Sequence, residues 1–322
     1  MFTRTKVVAG LAAAALFLTA CSSDSETESG EQSYSIGINQ LVQHPALDAA
    51  TAGFKEVLDE AGIEVTYDEQ NANGEQSTAL TIAQQFAGKN LDLVLAVATP
   101  AAQATAQNIT DVPVLFTAVT DPVSAELVDS EEAPGANVTG TSDVAPIADQ
   151  LDLLKELVPD AQKVGIVYAS GEVNSQVQVD LAKEAAAPRD LEIVTQTVTT
   201  ANDIQQAVEA LGDVDAIYVP TDNMVVAGIA SLVQVAEQKQ IPVIAAEAGT
   251  VEGGAVATLG IDYTELGRQT GEMALRILRD GADPATMPVE KATEFTYVIN
   301  EDAAQRLGVT IPQEILDEAE SV

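Results

Sequence analysis

Two predicted loops carry polar residues in an order that suits the two charged groups of a small zwitterion. In Thr99-Pro100-Ala101 a threonine N-cap and a proline at the first helical position leave the next backbone N–H groups free, and such a helix start can hold a carboxylate. Thr221-Asp222-Asn223 is a similar helix start, but its acidic side chain favours an amine over an anion. Ordinary helix capping by Thr99 and Asp222 is the alternative, and the sequence leaves both interpretations open.

Residue patterns of catalytic sites are absent from the sequence. It contains no G-x-S-x-G, H-E-x-x-H or P-loop motif, and no G-x-G-x-x-G follows a predicted strand. His44 is the only histidine, so serine–histidine catalysis would depend on it alone and histidine metal clusters are impossible. We therefore predict a protein that is not an enzyme and that needs no metal or cofactor. A hydrolase with paired carboxylates, such as Asp121 and Asp222, is the enzymatic alternative.

Short apolar strands alternate with helices from Ser35 onward, which is typical of βαβ units and parallel sheets. The first series predicts strands at 35–39, 63–67, 93–98 and 113–117, with helices at 46–61, 75–89 and 101–109. The second predicts strands at 163–168, 191–196, 215–219 and 242–246, with helices at 145–158, 172–187, 202–211 and 223–239. The fold class is therefore α/β, with two doubly wound parallel-sheet lobes.

A late segment does not fit a simple tandem of two such lobes. It comprises a predicted strand at 255–259, a helix at 263–280, a strand at 295–299 and a last helical stretch. A chain that crosses back between the lobes would need these elements.

Ligands of open parallel sheets bind beyond the carboxyl ends of the strands, which directs attention to the loops that follow them. These loops are polar, and they supply the candidate ligand-binding residues Gln40, Thr99, Ala101, Thr117, Asp121, Ser170, Asp222, Asn223 and Glu247.

The sequence leaves two possible roles for each of four ring side chains near these loops. His44 precedes Pro45 at a helix entrance and either lines the cleft or lies in a surface turn. Phe116, Tyr168 and Tyr218 close predicted strands and either pack in the core or form an aromatic wall for a ligand.

The start of the chain has the order of an export signal. Two basic residues precede an apolar run at 7–18, and Leu18-Thr19-Ala20-Cys21 follows. This resembles the lipobox of bacterial lipoproteins, in which the cysteine becomes the lipid-modified first residue. The apolar run is shorter than the roughly 20 residues of a membrane-spanning helix, and an ordinary secretory leader is the remaining alternative. We expect a signal peptide at 1–20, lipidation at Cys21, a disordered tether at 21–33 and an extracytoplasmic, membrane-anchored protein.

The charge of the chain excludes one class of partner. With 14 basic and 50 acidic residues the formal net charge is -36, so nucleic acid is not expected to bind. The acidic residues are spread over predicted helix faces, as on a solvated surface. Attraction of cations is the alternative reading.

Five stretches together resemble one group of ABC-transporter substrate-binding lipoproteins, the group associated with tryptophan and tyrosine uptake. They are IGINQLVQHPALDAATAGF (36–54), FTAVTDPVSAELV (116–128), GANVTGTSD (135–143), VPTDNMV (219–225) and TLGIDYTELGRQTGEMALRIL (258–278). The likeness covers nearly all of 34–319. It implies a type I periplasmic-binding fold, in which two lobes are joined by a three-strand hinge and trap the ligand between them.

The resemblance also implies boundaries and ligand positions. The lobes would be 34–141 plus 262–294 and 142–261 plus 295–322, with crossings at 135–142, 258–262 and 295–299. Matching motifs place the ligand at Gln40, Thr117, Asp121, Ser142, Asn174, Ser175, Asp222 and Asn223. The chain departs from the pattern at Gly171, where relatives often have a larger polar residue, and it has no tryptophan.

The function expected from this resemblance is capture of a small solute, most plausibly an aromatic amino acid, by a lipid-anchored monomer that delivers it to an ABC permease with its ATPase. Sugar is a weaker choice, because sugar sites commonly stack aromatic rings and this chain is 4% aromatic. An envelope sensor that presents its closed form to a membrane receptor is the alternative function.

Overall fold

The computed structural model describes residues 33–292 and 294–322. The predicted signal peptide, most of the predicted tether and Cys21 lie outside these residues. Within the described part, no helix is long and apolar enough to cross a membrane.

The first sheet is formed mainly by the first third of the chain, in which strands and helices alternate. The elements are β1 (Ser33–Gln40), α1 (Pro45–Glu60), β2 (Glu64–Asn71), α2 (Gln76–Ala87), β3 (Leu93–Val97), α3 (Thr99–Asn108), β4 (Val114–Val119) and β5 (Val138–Ser142). Strands β3, β4 and β5 are buried along their whole length, as expected for parallel strands covered on both faces.

The second sheet begins with a similar alternation. Its elements are α4 (Ile147–Leu157), β6 (Lys163–Ala169), α5 (Val173–Ala186), β7 (Glu192–Val198), α6 (Ile204–Ala210), β8 (Ala216–Val219), α7 (Asn223–Ala227), α8 (Ile229–Gln238), β9 (Val243–Glu247), α9 (Ala248–Glu252) and β10 (Ala257–Ile261).

The remaining elements are shared between the sheets. They are α10 (Tyr263–Leu278), β11 (Glu290–Lys291), β12 (Phe295–Ile299), α11 (Glu301–Leu307), α12 (Gln313–Glu318) and β13 (Glu320–Ser321). The strand orders are β11-β5-β4-β3-β1-β2 and β13-β12-β10-β9-β8-β6-β7. Every pair is parallel except β10 with β12. The predicted fold class of two doubly wound, mostly parallel sheets is therefore confirmed, whereas the exact lobe boundaries stay a prediction.

Most predicted elements lie within two residues of their observed positions, and one predicted helix is divided. The helix predicted at 223–239 is two helices, α7 and α8, that meet at Gly228. Glycine is a poor helix former, and a Cβ at Gly228 would lie 2.5 Å from the side chain of Ile204. Close packing at this position thus requires the residue that weakens the helix.

Helix α10 follows the second sheet in the chain but packs on the first. Its buried side chains belong to the same apolar cluster as those of β1, β3 and β4, and it lies against α1. Glycines allow the two helix backbones to touch: a Cβ at Gly267 would overlap the carbonyl oxygen of Ala50, and one at Gly271 would lie 2.9 Å from the carbonyl oxygen of Phe54. This contact fixes the position of the α10 N-terminus beside the cleft.

We expect Gly267→Ala to lower the free energy of unfolding by about 2 kcal/mol or more, because overpacking against an immobile backbone costs roughly 1–3 kcal/mol. The matched control is Gly88→Ala, where the nearest heavy atom to a new Cβ is 3.6 Å away. Urea unfolding of the two variants makes the comparison. Equal free energies of unfolding of the two variants would show that α1 and α10 can move apart without loss of stability.

Candidate functional site

A small cavity of about 10 Å³ lies between the two sheets, at the carboxyl ends of their strands. The first-sheet side contributes residues from the entrance and first turn of α1 and from β4. The second-sheet side contributes residues from α5, the β8–α7 connection and the end of β9, and two residues come from chain crossings. The lining residues are His44, Ala46, Leu47, Ala118, Asp143, Asn174, Thr221, Asn223, Val226, Glu247 and Tyr263.

In this arrangement the cavity alone has room for about one water molecule, which needs roughly 10–15 Å³. It shares Ala46, Glu247 and Tyr263 with a wider cleft of about 300 Å³. That cleft gives the enclosed space a route toward solvent.

Asp143 and Tyr263 join two chain crossings at the cavity wall. Asp143 follows β5, and Tyr263 is the first residue of α10. The Tyr263 hydroxyl donates to Asp143 Oδ2 at 2.7 Å, and the Thr120 hydroxyl donates to Oδ1 at 3.0 Å. Burial raises the pKa of Asp143 above its usual range despite these hydrogen bonds. The carboxyl group therefore lies in a dry position beside the ligand space.

Glu247 brings a second carboxyl group to the cavity. It ends β9 and caps α9, where it accepts hydrogen bonds from the Gly249 N–H at 2.7 Å and from the Thr250 hydroxyl. Burial raises the pKa of Glu247 as well. Since no lysine or arginine is among the lining residues, the fixed groups of the wall favour a positively charged ligand group.

His44 is buried at the first-sheet side of the cavity. Neither ring nitrogen meets the geometry of a hydrogen bond, although the Asn223 side chain is close enough to act on the ring. Burial lowers the pKa of His44 to about 4, against the smaller opposing effects of Asn223 and Asp48. The imidazole is thus neutral at pH 7, with one donor and one acceptor available.

Two more buried polar atoms of the wall have no partner. They are the Asn174 side-chain oxygen and the Thr221 hydroxyl oxygen. Buried polar groups are nearly always hydrogen-bonded in native proteins, so unpaired atoms that converge on one cavity indicate a polar ligand. The unpaired atoms of His44 lie on the first-sheet side, opposite those of Asn174 and Thr221.

Strained backbone occurs where two strands of the first sheet end. Ala98 after β3 and Ala118 in β4 have φ values of 80° and 55°, which alanine adopts only at a cost of about 1–3 kcal/mol. The pairing of β4 with β5 shifts register between Phe116 and Val119. Ala118 therefore lies at a bulge that faces the cavity, where its peptide is outside the regular ladder.

The strain also changes one predicted cap. Thr99 is the first residue of α3 and Ala98 is its N-cap, with Pro100 at the second helical position. The prediction of Thr99 as N-cap is therefore wrong by one residue. The carbonyl of Ala98 already accepts the first helical hydrogen bond, from the Ala102 N–H at 3.0 Å, which the unusual φ of Ala98 makes possible.

The structure brings three of the sequence-predicted ligand residues to the cavity: Asn174, Asn223 and Glu247. Ser170 lies instead on a separate cleft of about 390 Å³ that also includes Pro100. Thr99 and Ala101 are buried at the start of α3 and do not line the cavity.

Four other predicted residues form internal hydrogen bonds away from the cavity wall. The Gln40 amide donates to Asp48 at 2.7 Å, and Thr117 accepts from the Thr141 hydroxyl at 3.1 Å. The Ser142 hydroxyl donates to the Thr120 carbonyl at 2.9 Å, and Asp121 accepts from the N–H groups of residues 123 and 124. Their predicted contacts with a ligand remain predictions.

Asp222 lies behind the cavity wall and caps α7. Its Oδ2 accepts hydrogen bonds from the Ala169 N–H at 2.6 Å and the Ser175 hydroxyl at 2.7 Å, and its Oδ1 accepts from the Val225 N–H at 2.8 Å. Helix capping, the alternative left open by the sequence, thus explains Asp222. Ser175 acts as one of its donors.

Sequence reasoning missed several lining residues and left another undecided. Asp143 and Tyr263 lie within two of the family-like stretches but had no assigned role, and His44 was left between a cleft and a surface position. The rings of Phe116, Tyr168 and Tyr218 pack in the sheet cores, where the Tyr218 hydroxyl donates to Gln150 at 2.6 Å. The aromatic side chain of the cavity is that of Tyr263.

Comparison with known proteins identifies the class of this fold and site. The model of the ABC transporter substrate binding protein family matches residues 35–322. The chain is 40% identical over 317 residues to the tyrosine-binding protein of Clostridioides difficile (strain R20291), covering 94% of this chain and 91% of that protein. The chain belongs to the ABC transporter substrate-binding proteins, which bind solutes and are not enzymes, and its fold is the type I periplasmic-binding fold.

Two solved relatives differ in how well they superpose. The ABC domain from Streptococcus pneumonia in complex with L-Trp has a TM-score of 0.87 at 38% identity, covering 90% of this chain and all (100%) of that one. The ligand-free, open structure of a substrate binding protein with adhesive properties from Clostridium difficile has a TM-score of 0.70 at 42% identity, covering 90% and 99%. Since the two sequence identities are similar, the lower TM-score of the second relative is explained by its open arrangement and not by sequence divergence. This chain is more similar in structure to the relative that holds L-Trp.

We expect Asp222→Ala to lower the free energy of unfolding by about 2 kcal/mol or more, because it removes a helix cap and leaves buried donors unpaired. Asp180→Ala is the control, since the Asp180 side chain is 63% exposed on α5 and such changes stay within about 0.5 kcal/mol. Urea unfolding without ligand makes the comparison. An Asp222 variant as stable as the control would contradict the role of Asp222 as a helix cap.

Proposed function

We propose that this protein captures an aromatic amino acid between its two sheets and delivers it to an ABC permease. The observation that carries the proposal is the enclosed cavity, which combines two buried carboxyl groups, no lysine or arginine and several unpaired polar atoms. A relative 40% identical over most of its length is a tyrosine-binding protein, and another is solved with L-Trp. These names support the choice of ligand class.

The ammonium group of the ligand binds on the acidic side of the cavity. Asp143 and Glu247 each hold two internal donors, and a carboxylate can accept about four hydrogen bonds in total. Each therefore keeps acceptor capacity for an ammonium group. The unpaired oxygen of Asn174 adds an acceptor on the second-sheet side.

The carboxylate of the ligand is held by neutral donors. The candidates are the Thr221 hydroxyl, the neutral His44 ring and the backbone of Ala118 at the bulge. Such donors suit an anion without the desolvation cost of burying an arginine. The charges of a zwitterion would then balance within the cavity.

The aromatic side chain of the ligand occupies the apolar part of the wall. Leu47 and Val226 face the space from opposite sheets, and the Tyr263 ring adds an aromatic surface. Aromatic rings pack at centroid distances of about 4.5–7 Å with a gain beyond area burial alone. A cavity walled by both sheets exists in the closed arrangement, and closure gives a permease a surface that the open form lacks.

The proposal is tested by thermal unfolding of a soluble fragment that starts at Ser22, against amino acids, sugars, purines and organic acids. A ligand at 100 times its dissociation constant adds about 2.7 kcal/mol of stability. L-Tyrosine or L-tryptophan should raise the Tm, and 3-(4-hydroxyphenyl)propionate, which lacks the ammonium group, should not. A shift with sugars alone would contradict the proposed ligand.

Asp143→Asn should weaken binding of L-tyrosine by roughly tenfold or more, because it removes one charge from the ammonium site. The control is Asp180→Asn, since the Asp180 side chain is 63% exposed on α5. Isothermal titration calorimetry measures both. Equal affinities of the two variants for L-tyrosine would show that the ammonium group does not bind at Asp143.

We further propose that Cys21 carries the lipid that holds this domain at the membrane surface, outside the cytoplasm. The proposal rests on the lipobox-like sequence Leu18-Thr19-Ala20-Cys21. A single acyl chain gives only marginal membrane binding, and stable anchoring takes two signals or more than one chain, so the lipidated cysteine should carry several chains.

Cys21→Ser should release the protein from membranes into the soluble fraction, because the thiol that accepts the lipid is lost. Cell fractionation and immunoblotting of the full chain measure the distribution, with Ser22→Ala as the matched control. Continued membrane association of the Cys21 variant would contradict lipid anchoring.

A further inference from the structure

A fourth buried carboxyl group, Glu172, lies immediately behind the second-sheet wall of the cavity. It is 6% exposed, precedes α5 and does not line the cavity itself. Its Oε2 accepts hydrogen bonds from the side-chain amides of Asn174 at 3.2 Å and Asn223 at 2.5 Å, and its Oε1 accepts from the Met224 N–H at 3.3 Å. Two residues of the wall are thus tied to one carboxyl group.

The acceptor character of Glu172 fixes which way these amides face. An ionised carboxylate only accepts hydrogen bonds, so each asparagine must turn its nitrogen toward Glu172 and its oxygen away. The Asn174 oxygen has no partner within the protein, while the Asn223 side chain lies close enough to the His44 ring to oppose the lowering of its pKa. The Asn174 nitrogen also donates to the Thr221 carbonyl at 3.3 Å, so Glu172 is one of the acceptors that orient Asn174, and it is the acceptor that orients Asn223.

We propose that Glu172 is the positioning residue that makes this wall accept N–H groups: it turns the side-chain oxygens of Asn174 and Asn223 toward the cavity, and so selects ligands that carry an ammonium group. The inference deepens the proposed function and rests on it. Glu172 acts through the two asparagines and does not itself touch the ligand.

The charge state of Glu172 couples this orientation to pH. The titratable group that faces it is Asp222, from the β8–α7 connection, while His44 lies beyond Asn223 and is neutral. Burial first, and then the charge of Asp222, raise the pKa of Glu172 to about 8. Burial raises the pKa of Asp222 as well, but its hydrogen bonds from Ala169, Ser175 and Val225 oppose that rise, so we place the first proton of this pair on Glu172.

Protonation of Glu172 weakens the proposed selection. A protonated carboxyl group has an O–H that can donate to an asparagine oxygen, so the Asn223 amide is no longer held in one orientation, and Asn174 keeps its hydrogen bond to the Thr221 carbonyl. An ammonium ion in the cavity favours the ionised form, and binding therefore releases a proton below pH 8. By linkage, the affinity for an amino acid rises as the pH increases from 6 to 8.

The test compares Glu172→Gln with Glu184→Gln, which removes the same charge from an exposed position of α5. Calorimetry with L-tyrosine at pH 6 and 8, in buffers of different ionisation enthalpy, gives the affinity and the number of protons released. Wild type and Glu184→Gln should bind L-tyrosine more tightly at pH 8 than at pH 6, and binding should release protons between pH 6 and 8. Glu172→Gln should bind roughly tenfold more weakly at pH 8, with a flatter pH profile and fewer protons released.

Several outcomes would overturn the inference. Equal affinity of Glu172→Gln and wild type would do so, as would weaker binding with an unchanged pH profile and proton release, because that pattern marks a structural role only. If Glu172→Gln does not fold, Glu172→Asp supplies the test: it keeps a carboxyl group but withdraws it from the amides, and wild-type affinity would contradict the positioning role. Failure of wild type itself to bind amino acids would instead contradict the proposed function.

Discussion

The burial of several carboxyl groups around a small space that no lysine or arginine lines is the constraint on which the site depends. Removing a carboxylate from water costs several kcal/mol unless donors replace the water. The chain supplies these donors from hydroxyl groups at Asp143, from helix N–H groups at Asp222 and Glu247, and from amides at Glu172. These hydrogen bonds oppose the effect of burial, which raises the pKa of each of the four carboxyl groups.

The same constraint explains where the site lies in the fold. Parallel strands end together at one edge of each sheet, and the helices that follow present their N–H groups there. Glu247 and Asp222 use such helix starts in the second sheet, while Asp143 and Tyr263 come from the crossings between the sheets. The fold thus joins polar groups that are distant in sequence, and the hydrogen bond of Tyr263 to Asp143 links two of the connections between the sheets.

Much of the fold could be predicted from the sequence, because continuous apolar runs such as 93–97 directly indicate buried parallel strands. The polar strand ends also indicated the correct edge of the sheets, and Asn174, Asn223 and Glu247 do reach the cavity. What local patterns could not show is how a side chain is used. Asp222 accepts its hydrogen bonds from a helix and a neighbouring strand, so they occupy its carboxylate oxygens. Ala98 takes a backbone conformation that propensity does not favour, and the N-cap of α3 is therefore Ala98 and not Thr99. The burial of His44 depends on groups brought from the other sheet.

The packing of α10 on α1 has a consequence for the order in which the protein folds. The first lobe receives this helix from residues 263–278, after the chain has passed through most of the second lobe. During synthesis from the N-terminus, the surface of α1 that Gly267 and Gly271 approach stays uncovered until about two hundred further residues have emerged, which is a long exposure for an apolar face. The second lobe has its own sheet nearly complete by then. Late closure of the first core makes the nascent chain dependent on protection from aggregation in that interval.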